Sequence, residues 1–193
     1  GLFGAAVVAP GTGFLLNDEM DDFTVKPGVP NLFGLVQGEA NAIQPGKRPL
    51  SSMSPTIVTK DDRLFLVLGS PGGSRIISIV AETISNIVDF GMKPQEAVDA
   101  PRIHHQWLPD EVYYEPFGLS PDTLAILKAD GYVMKEQSPW GAAELIEAAP
   151  PTASAAGPAN SGNDSASSGR VLPGRLYGAN DARRPAGAAA APQ

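Results

Sequence analysis

The heptapeptide Gly69-Ser70-Pro71-Gly72-Gly73-Ser74-Arg75 connects an apolar segment to a run of residues with helical periodicity. The segment that enters it, Arg63–Gly69 (RLFLVLG), has the apolar and β-branched composition of a buried strand. After it, apolar side chains recur at helical spacing over 76–88, with Ser74 as the predicted N-cap and Gly91 as the stop signal. The sequence therefore predicts a strand that turns directly into a long buried helix.

The strand before this turn is predicted to pair with Ser54–Lys60 (SPTIVTK) across a two-residue turn at Asp61-Asp62. A second hairpin is predicted to pair 4–9 with 13–16, and the polar, proline-rich loop at 17–49 is long enough to be functional. Further predicted elements are helices at 94–100 and 120–130 and strands at 111–115, from 133 onward, at 143–147 and at 172–180. Strands joined by hairpins, with helices on their faces, indicate a layered α+β sandwich.

Composition divides the chain into a folded part and low-complexity segments. Residues 1–149 are predicted to form the core of one domain, since a hydrophobic fraction of 42% is ordinary for a globular protein. Residues 150–170 consist almost entirely of Ala, Ser, Gly, Pro and Asn, which predicts a disordered insert. Apolar character returns at 171–181 as a predicted edge strand, and 182–193 is predicted to be a flexible tail.

The chain is acidic and contains no cysteine. Its 193 residues carry 14 basic and 21 acidic side chains, and the net charge of −7 repels phosphate backbones and anionic lipid surfaces. We therefore expect neither nucleic acid nor a membrane as a partner. Without cysteine, a disulfide framework and a thiolate zinc site are both excluded. The chain begins at Gly1 without an initiator methionine, which suggests that upstream residues have been removed.

The Gly72-Gly73 pair is the strongest local signal for chemistry. Glycines permit unusual dihedral angles and close approach of a ligand, and a helix N-terminus offers unpaired N–H groups to an anion. The turn matches neither the phosphate-loop pattern nor the nucleophile elbow of α/β-hydrolases. An oxyanion-binding turn and a plain strand-to-helix turn are equally compatible with these residues.

Two polar pairs lie at the ends of the long loop. Glu19 and Asp22 can hold an ammonium group through charge-assisted hydrogen bonds, although acidic surface residues more often form a solvated turn or cap. Ser51 and Ser52 precede the central hairpin, where their hydroxyls can bind a carboxylate or simply form a turn. Taken pair by pair, the residues leave these alternatives open.

The histidines and tryptophans are predicted to have structural roles rather than catalytic or metal-binding roles. Adjacent histidines in an extended segment, His104 and His105, face opposite ways, and no further ligands stand at zinc spacing, so no metal site is expected. Trp107 and Trp140 are predicted to be packing residues in a chain this acidic.

Five segments become more specific when they are taken together and in order. They are LLNDEMDDF (Leu15–Phe23), KPGVPNLFGLV (Lys26–Val36), KRPLSSMSPTIV (Lys47–Val58), GSPGGSRII (Gly69–Ile77) and APRIHHQWLPDEV (Ala100–Val112). They resemble the small subunit of γ-glutamyltransferases, which belong to the N-terminal-nucleophile hydrolase superfamily. The resemblance runs from about Phe3 to Val133 and resumes more faintly at Leu176–Arg184 (LYGANDARR).

The resemblance implies a four-layer αββα sandwich, of which this chain is the partial, small-subunit portion. In the family a precursor cleaves itself, and the new N-terminal threonine attacks a γ-glutamyl amide such as glutathione, with its own α-amine as general base. The implied partner is the large subunit of the same precursor, no cofactor or metal is implied, and the location is periplasmic or secreted in a bacterium. The threonine is expected upstream of Gly1, so the isolated chain is expected to be inactive.

Residue by residue, the resemblance assigns the two polar pairs to the two ends of an amino-acid substrate. Glu19 and Asp22 match the acidic pair that binds the α-ammonium group. Ser51 and Ser52 match the pair that binds the α-carboxylate, helped in the family by an arginine from the large subunit.

The resemblance also assigns the glycine turn and reveals one departure. Gly72 and Gly73 match the oxyanion-hole glycines, which agrees with the chemistry expected from the residues alone. Phe33 stands where many bacterial members carry a tyrosine whose hydroxyl closes a wall over the bound glutamyl group. One hydrogen-bond donor is therefore missing, and specificity is expected to loosen.

Two other functions stay open on the sequence. One is a cephalosporin or glutaryl acylase on the same scaffold, and the other is a non-catalytic domain that binds an amino acid or an anion at the Gly72-Gly73 turn. Glu19 and Asp22 favour a substrate with a free α-amine, and hence the γ-glutamyl function.

Overall fold

The computed structural model describes residues 2–149 and 174–183. Its strands are β1 (Leu2–Ala5), β2 (Thr56–Lys60), β3 (Arg63–Gly69), β4 (Ile103–His104), β5 (Val112–Tyr114), β6 (Met134–Glu136), β7 (Glu144–Ala148) and β8 (Leu176–Asn180). Its helices are α1 (Ile76–Val88), α2 (Pro94–Asp99) and α3 (Pro121–Ala129), with short 3-10 turns at Glu19–Asp22, Glu39–Asn41 and Gly73–Arg75. The predicted α+β class is confirmed. None of the helices among the described residues is long and apolar enough to span a bilayer.

The described residues fall into two compact units. Among the described residues, the first unit comprises 2–53, 72–78 and 101–139, and the second unit comprises 54–71, 79–100, 140–149 and 174–183. Each unit is assembled from segments that are distant in sequence, and a single domain core at 1–149 stays a prediction. The predicted insert at 150–170 and most of the predicted tail at 182–193 lie outside the described residues.

The second unit is organised around a four-stranded antiparallel sheet in the order β2-β3-β7-β8. Strands β2 and β3 form the predicted hairpin, and β8 lies at the edge of the sheet. Leu66 and Leu68 of β3 are buried and alternate with less buried neighbours, as in a sheet that has one face covered. Leu145 and Ala179 continue this buried face across β7 and β8.

The opposite face of the same sheet carries three aliphatic side chains that we call the outer row: Ile57, Val67 and Ile146. They are direct neighbours across β2, β3 and β7. Ile57 is 69% exposed and Ile146 is 44% exposed. Removing exposed aliphatic side chains from water lowers the free energy. Covering the outer row with another layer would therefore stabilise the protein.

The turn of the central hairpin has left-handed backbone at both positions. Asp61 has φ of 52° and Asp62 has φ of 58°. Two consecutive residues with positive φ match the right-handed twist of paired strands, which is why two-residue hairpins favour this geometry. The predicted turn at Asp61-Asp62 is confirmed.

Helix α2 packs against β7 and β8. Its start is fixed by Pro94 at the first helical position and by the Lys93 N–H, which donates to the Glu96 carboxylate at 3.0 Å. Gln95 Nε2 donates to the main-chain oxygen of Asn180 at 2.9 Å. This bond fastens the edge strand β8 to the helix.

A buried ion pair holds the chain just after β8. Asp181 is fully buried and accepts from the Ala143 N–H at 2.8 Å and from Arg183 Nη1 at 3.0 Å. The Arg183 guanidinium also donates to the main-chain oxygens of Val98 and Ala100, each at 2.9 Å. Both charges are therefore compensated by partners with good hydrogen-bond geometry.

The first unit combines the long loop at 17–49 with a three-stranded sheet in the order β4-β5-β6. Strands β4 and β5 are antiparallel, and helix α3 connects the parallel pair β5 and β6. Ser120 caps α3 as predicted, since its side chain accepts from the Thr123 N–H at 3.4 Å. The N-terminal hairpin forms with the Leu16 N–H bonded to Val7 O at 2.8 Å, although positive φ at Ala6 ends β1 early.

Two predictions about single side chains are wrong. Ser74 does not cap α1, because the 3-10 turn Gly73–Arg75 precedes the helix and the Ser74 hydroxyl donates to Gln106 Oε1 at 2.8 Å. Trp107 is 75% exposed, because the backbone turns there with φ of 71° and carries the ring to the surface. Trp140 is buried, as predicted.

Candidate active site

The glycine turn before α1 has the unusual backbone that its sequence predicts. Gly72 has φ of 149° and Gly73 has φ of 58°, values that residues with a Cβ rarely adopt. The 3-10 turn Gly73–Arg75 runs directly into α1. The first N–H groups of a helix have no intrahelical partner and carry partial positive charge, so this turn can donate to an oxyanion.

The Phe33 ring lies against Gly73. A Cβ placed on Gly73 would overlap the Cδ1, Cε1 and Cζ atoms of Phe33. The aromatic ring therefore covers the main chain at Gly73. Because phenylalanine has no hydroxyl, its ring covers Gly73 through apolar contacts and donates no hydrogen bond.

The loop that carries Phe33 is tied to the turn that carries the acidic pair. Asn31 Oδ1 accepts from the Phe33 N–H at 3.0 Å, and Asn31 Nδ2 donates to the main-chain oxygen of Asp21 at 3.5 Å. The Leu32 N–H donates to the Asp21 carboxylate at 3.3 Å. These bonds connect the loop with the 3-10 turn Glu19–Asp22.

Glu19 and Asp22 stand at the two ends of the 3-10 turn Glu19–Asp22, and their carboxyl groups interact. Glu19 is exposed and Asp22 is half-buried. Burial raises the pKa of Asp22, and the hydrogen bond to Glu19 and the negative charges of Glu19, Asp21 and Asp18 raise it further. Adjacent carboxylates repel when both are ionised, and a cation held between them relieves that repulsion. The arrangement suits an ammonium group.

Asn41 connects the acidic pair with the serine pair. Its Nδ2 donates to the main-chain oxygen of Asp22 at 2.7 Å, and its Oδ1 accepts from the Leu50 N–H at 2.9 Å. Leu50 immediately precedes Ser51, whose Oγ accepts from the Met53 N–H at 3.2 Å. One side-chain amide therefore fixes the backbone beside both pairs.

All seven residues that the sequence singles out lie in the first unit. They are Glu19, Asp22, Phe33, Ser51, Ser52, Gly72 and Gly73. Phe33 and Gly73 are in contact, and Asn41 bridges Asp22 to the residue before Ser51. A cavity of about 240 Å³ in this unit is lined by other loop residues, and none of the seven lines it. Convergence of all seven on one substrate stays a prediction.

Sequence reasoning missed the two asparagines that shape the site. Asn31 follows Pro30 in a turn-rich stretch, a signal typical of side chains that bond to their own backbone. Asn41 offers no such signal, because its partners Asp22 and Leu50 lie 19 and 9 residues away.

The two adjacent histidines face opposite ways, as the sequence predicts. His104 is buried and His105 is exposed, so they face opposite ways. His105 Nε2 lies 3.0 Å from the Asp110 carboxylate. Within 2–149 and 174–183, no three acidic or histidine side chains are grouped in a way that could hold a metal ion.

Comparisons with known proteins agree over nearly the whole chain. A family model described as gamma-glutamyltranspeptidase matches residues 1–190. The chain is 54% identical over 189 residues to a glutathione hydrolase proenzyme from Pseudomonas sp. (strain A14), an alignment that covers 97% of this chain and 30% of that protein. It is 49% identical over 181 residues to the glutathione hydrolase proenzyme of Escherichia coli (strain K12), covering 94% of this chain and 27% of that protein.

A solved structure shows the same similarity in three dimensions. A mutant of Helicobacter pylori gamma-glutamyltranspeptidase superposes with a TM-score of 0.80 at 47% sequence identity. The superposition covers 94% of this chain and 88% of the solved chain. The chain spans about 30% of the length of the Pseudomonas relative, so it corresponds to one part of a longer protein.

Proposed function

Because this chain belongs to the gamma-glutamyltranspeptidase family, we propose that it supplies the small-subunit part of an enzyme that transfers γ-glutamyl groups. The donor is glutathione or a similar γ-glutamyl amide. The acceptor is water or the amine of an amino acid or peptide. The names of its relatives, glutathione hydrolase proenzymes, support both this donor and a precursor that is processed.

The two polar pairs hold the two charged groups of the γ-glutamyl donor. Asp22 and Glu19 bind the α-ammonium group, whose positive charge stabilises the ionised form of Asp22 against the burial and the neighbouring negative charges that raise its pKa. Ser51 and Ser52 donate to the α-carboxylate through their hydroxyls. Since Asn41 bonds to the backbone beside both pairs, a substrate that engages one pair finds the other in a set position.

The glycine turn stabilises the charge that develops during the reaction. The hydroxyl oxygen of an N-terminal threonine, expected upstream of Gly1, attacks the amide carbon while its α-amine takes the hydroxyl proton. The carbonyl oxygen becomes negative and accepts hydrogen bonds from the N–H groups at Gly72 and Gly73. The C–N bond then breaks, the proton passes to the leaving amine, and the γ-glutamyl group stays esterified to threonine. Water or an acceptor amine attacks the same carbon and frees the threonine.

The outer row supports a large subunit as partner and a four-layer sandwich as the complete fold. Ile57, Val67 and Ile146 form an aliphatic face on a sheet whose other face is already covered. A second sheet packed on this face would give two central β layers with helices outside them. A periplasmic or secreted location stays a prediction.

The observation that best supports the proposal is that one compact unit contains all seven matched site residues, with Phe33 against Gly73 and with Asn41 bonded to Asp22 and to Leu50. The test is to express the chain within its gene-encoded precursor and to measure release of the aniline from a γ-glutamyl anilide. The control is the same precursor with the nucleophilic threonine changed to alanine. Turnover no greater than that of the control would contradict the proposal.

A second measurement separates γ-glutamyl transfer from glutaryl or cephalosporin acylase chemistry. Asp22→Asn removes the charge that binds the ammonium group, which a glutaryl amide lacks, so γ-glutamyl turnover falls far more than glutaryl turnover. Asp18→Asn, a neighbouring change of the same charge, serves as the control. Equal losses on both amides would assign Asp22 a role other than ammonium binding. Absence of turnover, with phosphate binding that is insensitive to Glu19→Gln, would instead favour an anion-binding domain.

A further inference from the structure

The side chain of Gln106 has a partner for every hydrogen-bonding position of its amide. Its Nε2 donates to the main-chain oxygens of Phe33 at 3.4 Å and Leu108 at 3.2 Å. Its Oε1 accepts from the Ser74 hydroxyl at 2.8 Å and lies 3.0 Å from His104 Nε2. All of these residues belong to the first unit.

The partners fix the direction of each bond. Main-chain oxygens only accept, so the NH₂ end of the Gln106 amide must face Phe33 and Leu108. Oε1 then faces Ser74 and His104, so His104 carries its proton on Nε2. Burial lowers the pKa of His104, which keeps the ring neutral with Nδ1 free to accept from the Ser78 hydroxyl at 2.8 Å.

This amide joins the two sides of the contact between Phe33 and Gly73. On one side it holds the backbone oxygen of Phe33 itself, and on the other it holds Ser74, the residue after Gly73. A glutamine in this place sets the distance between the loop and the turn without touching the reacting atoms.

We propose that Gln106 is a positioning residue that holds Phe33 over the glycine turn at Gly73 and so tunes affinity for the γ-glutamyl donor. The inference rests on the proposed function, because it assigns Gln106 to the same site. It concerns how the donor is enclosed rather than how the bond is cleaved.

Gln106→Glu tests the inference because it alters only one side of the amide. A carboxylate still accepts from Ser74 and His104, but its other oxygen repels the main-chain oxygens of Phe33 and Leu108. We expect the KM for a γ-glutamyl anilide to rise about tenfold while kcat stays within about threefold, because the contacts with the main-chain oxygens of Phe33 and Leu108 become repulsive. The variant is made in the full precursor, and Gln44→Glu on the exposed part of the loop is the matched control.

Two further readouts distinguish positioning from a general loss of structure. As the pH falls, the new carboxyl group takes up a proton and can again donate to Phe33, so KM relative to wild type should recover. In a Phe33→Ala background, Gln106→Glu should raise KM by less than about twofold, because the side chain through which Gln106 acts has been removed.

Hydrogen exchange at residues 31–36 should accelerate in Gln106→Glu and stay unchanged in Gln44→Glu, a result that does not require turnover. Unchanged KM and unchanged exchange would overturn the role of Gln106, as would a full tenfold effect in the Phe33→Ala background. If the wild-type precursor shows no γ-glutamyl turnover, the proposed function fails, and the exchange experiment still decides whether Gln106 holds the loop.

Discussion

The Phe33 ring occupies the space that a side chain on Gly73 would need, and the backbone of Gly73 has φ of 58°. Steric overlap and dihedral strain are therefore two separate reasons why this position takes only glycine. The two contributions can be separated by experiment, because only the overlap depends on Phe33.

Gly73→Ala is expected to lower kcat/KM on a γ-glutamyl anilide by at least about a hundredfold, because a shifted turn misdirects the oxyanion donors. The double variant Phe33→Ala/Gly73→Ala should recover about tenfold of that loss. The remainder persists because left-handed backbone costs alanine about 1–2 kcal/mol whatever stands opposite. Full recovery of kcat/KM in the double variant would mean that backbone strain at Gly73 is unimportant. No recovery would mean that overlap with the Phe33 ring is unimportant.

The decline of kcat/KM at low pH, the acidic limb of its pH profile, should follow the protonation of Asp22. Only ionised Asp22 attracts the substrate ammonium, and its raised pKa means that protonation begins at a higher pH than for an ordinary aspartate. As the pH falls, kcat/KM should therefore decline earlier than a pKa in the usual range would give. Glu19→Gln removes the hydrogen bond and charge that raise this pKa, so the limb should move to lower pH.

Asp18→Asn is the control for that shift, because among the charges acting on Asp22 that of Asp18 is the weakest. The limb should move less in Asp18→Asn than in Glu19→Gln. An identical profile for wild type and Glu19→Gln would show that the carboxyl groups are not coupled in the free enzyme.

Asp181→Asn should destabilise the protein by about 3–5 kcal/mol, because Arg183, whose side chain is only 11% exposed, would lose its counterion. Urea unfolding measures the loss in the free energy of unfolding. Glu136→Gln makes the same charge change at an exposed position and should cost less than about 0.5 kcal/mol. A loss of similar size in both variants would argue against the buried ion pair.

The turn of the central hairpin can be improved. Asn at position 61 and Gly at position 62 suit two left-handed residues better than Asp61 and Asp62 do, so the double substitution should add about 1 kcal/mol of stability. Asp62→Ala should have the opposite sign, because alanine resists positive φ. Thermal unfolding of the three proteins gives the ranking, and stabilisation by alanine would exclude this explanation.

Local patterns were sufficient to predict most of the regular structure. The hairpin β2-β3 and helix α1 follow from alternation, helical periodicity and turn residues that act over a few positions. Ser74 and Trp107 were mispredicted because their environments depend on distant partners and on a backbone bend. A serine before a helix often caps it by accepting from a backbone N–H, but here Ser74 lies inside the 3-10 turn and its hydroxyl donates to Gln106 Oε1.

The site divides in the same way between what the sequence can and cannot tell. Glycines at 72 and 73 predict an unusual backbone because they lack a Cβ, and both residues have positive φ in the structure. Asn41 and Gln106 carry no local signature, since each acts by bonding to main-chain groups that only the fold brings near. Polar side chains that hold other residues in place are the part of a site that spacing does not predict.

The hydrogen bond from the Leu50 N–H to Asn41 Oδ1 fixes the position of Leu50 next to Asn41, whatever path residues 43–49 take between them. The length of the loop at 43–49 can therefore change without moving Ser51 and Ser52. Peptide tags or longer loops could be grafted between Gln44 and Lys47 with little entropic cost, because closure entropy grows only slowly with length. The same tolerance gives evolution room to vary this surface without rebuilding what it surrounds.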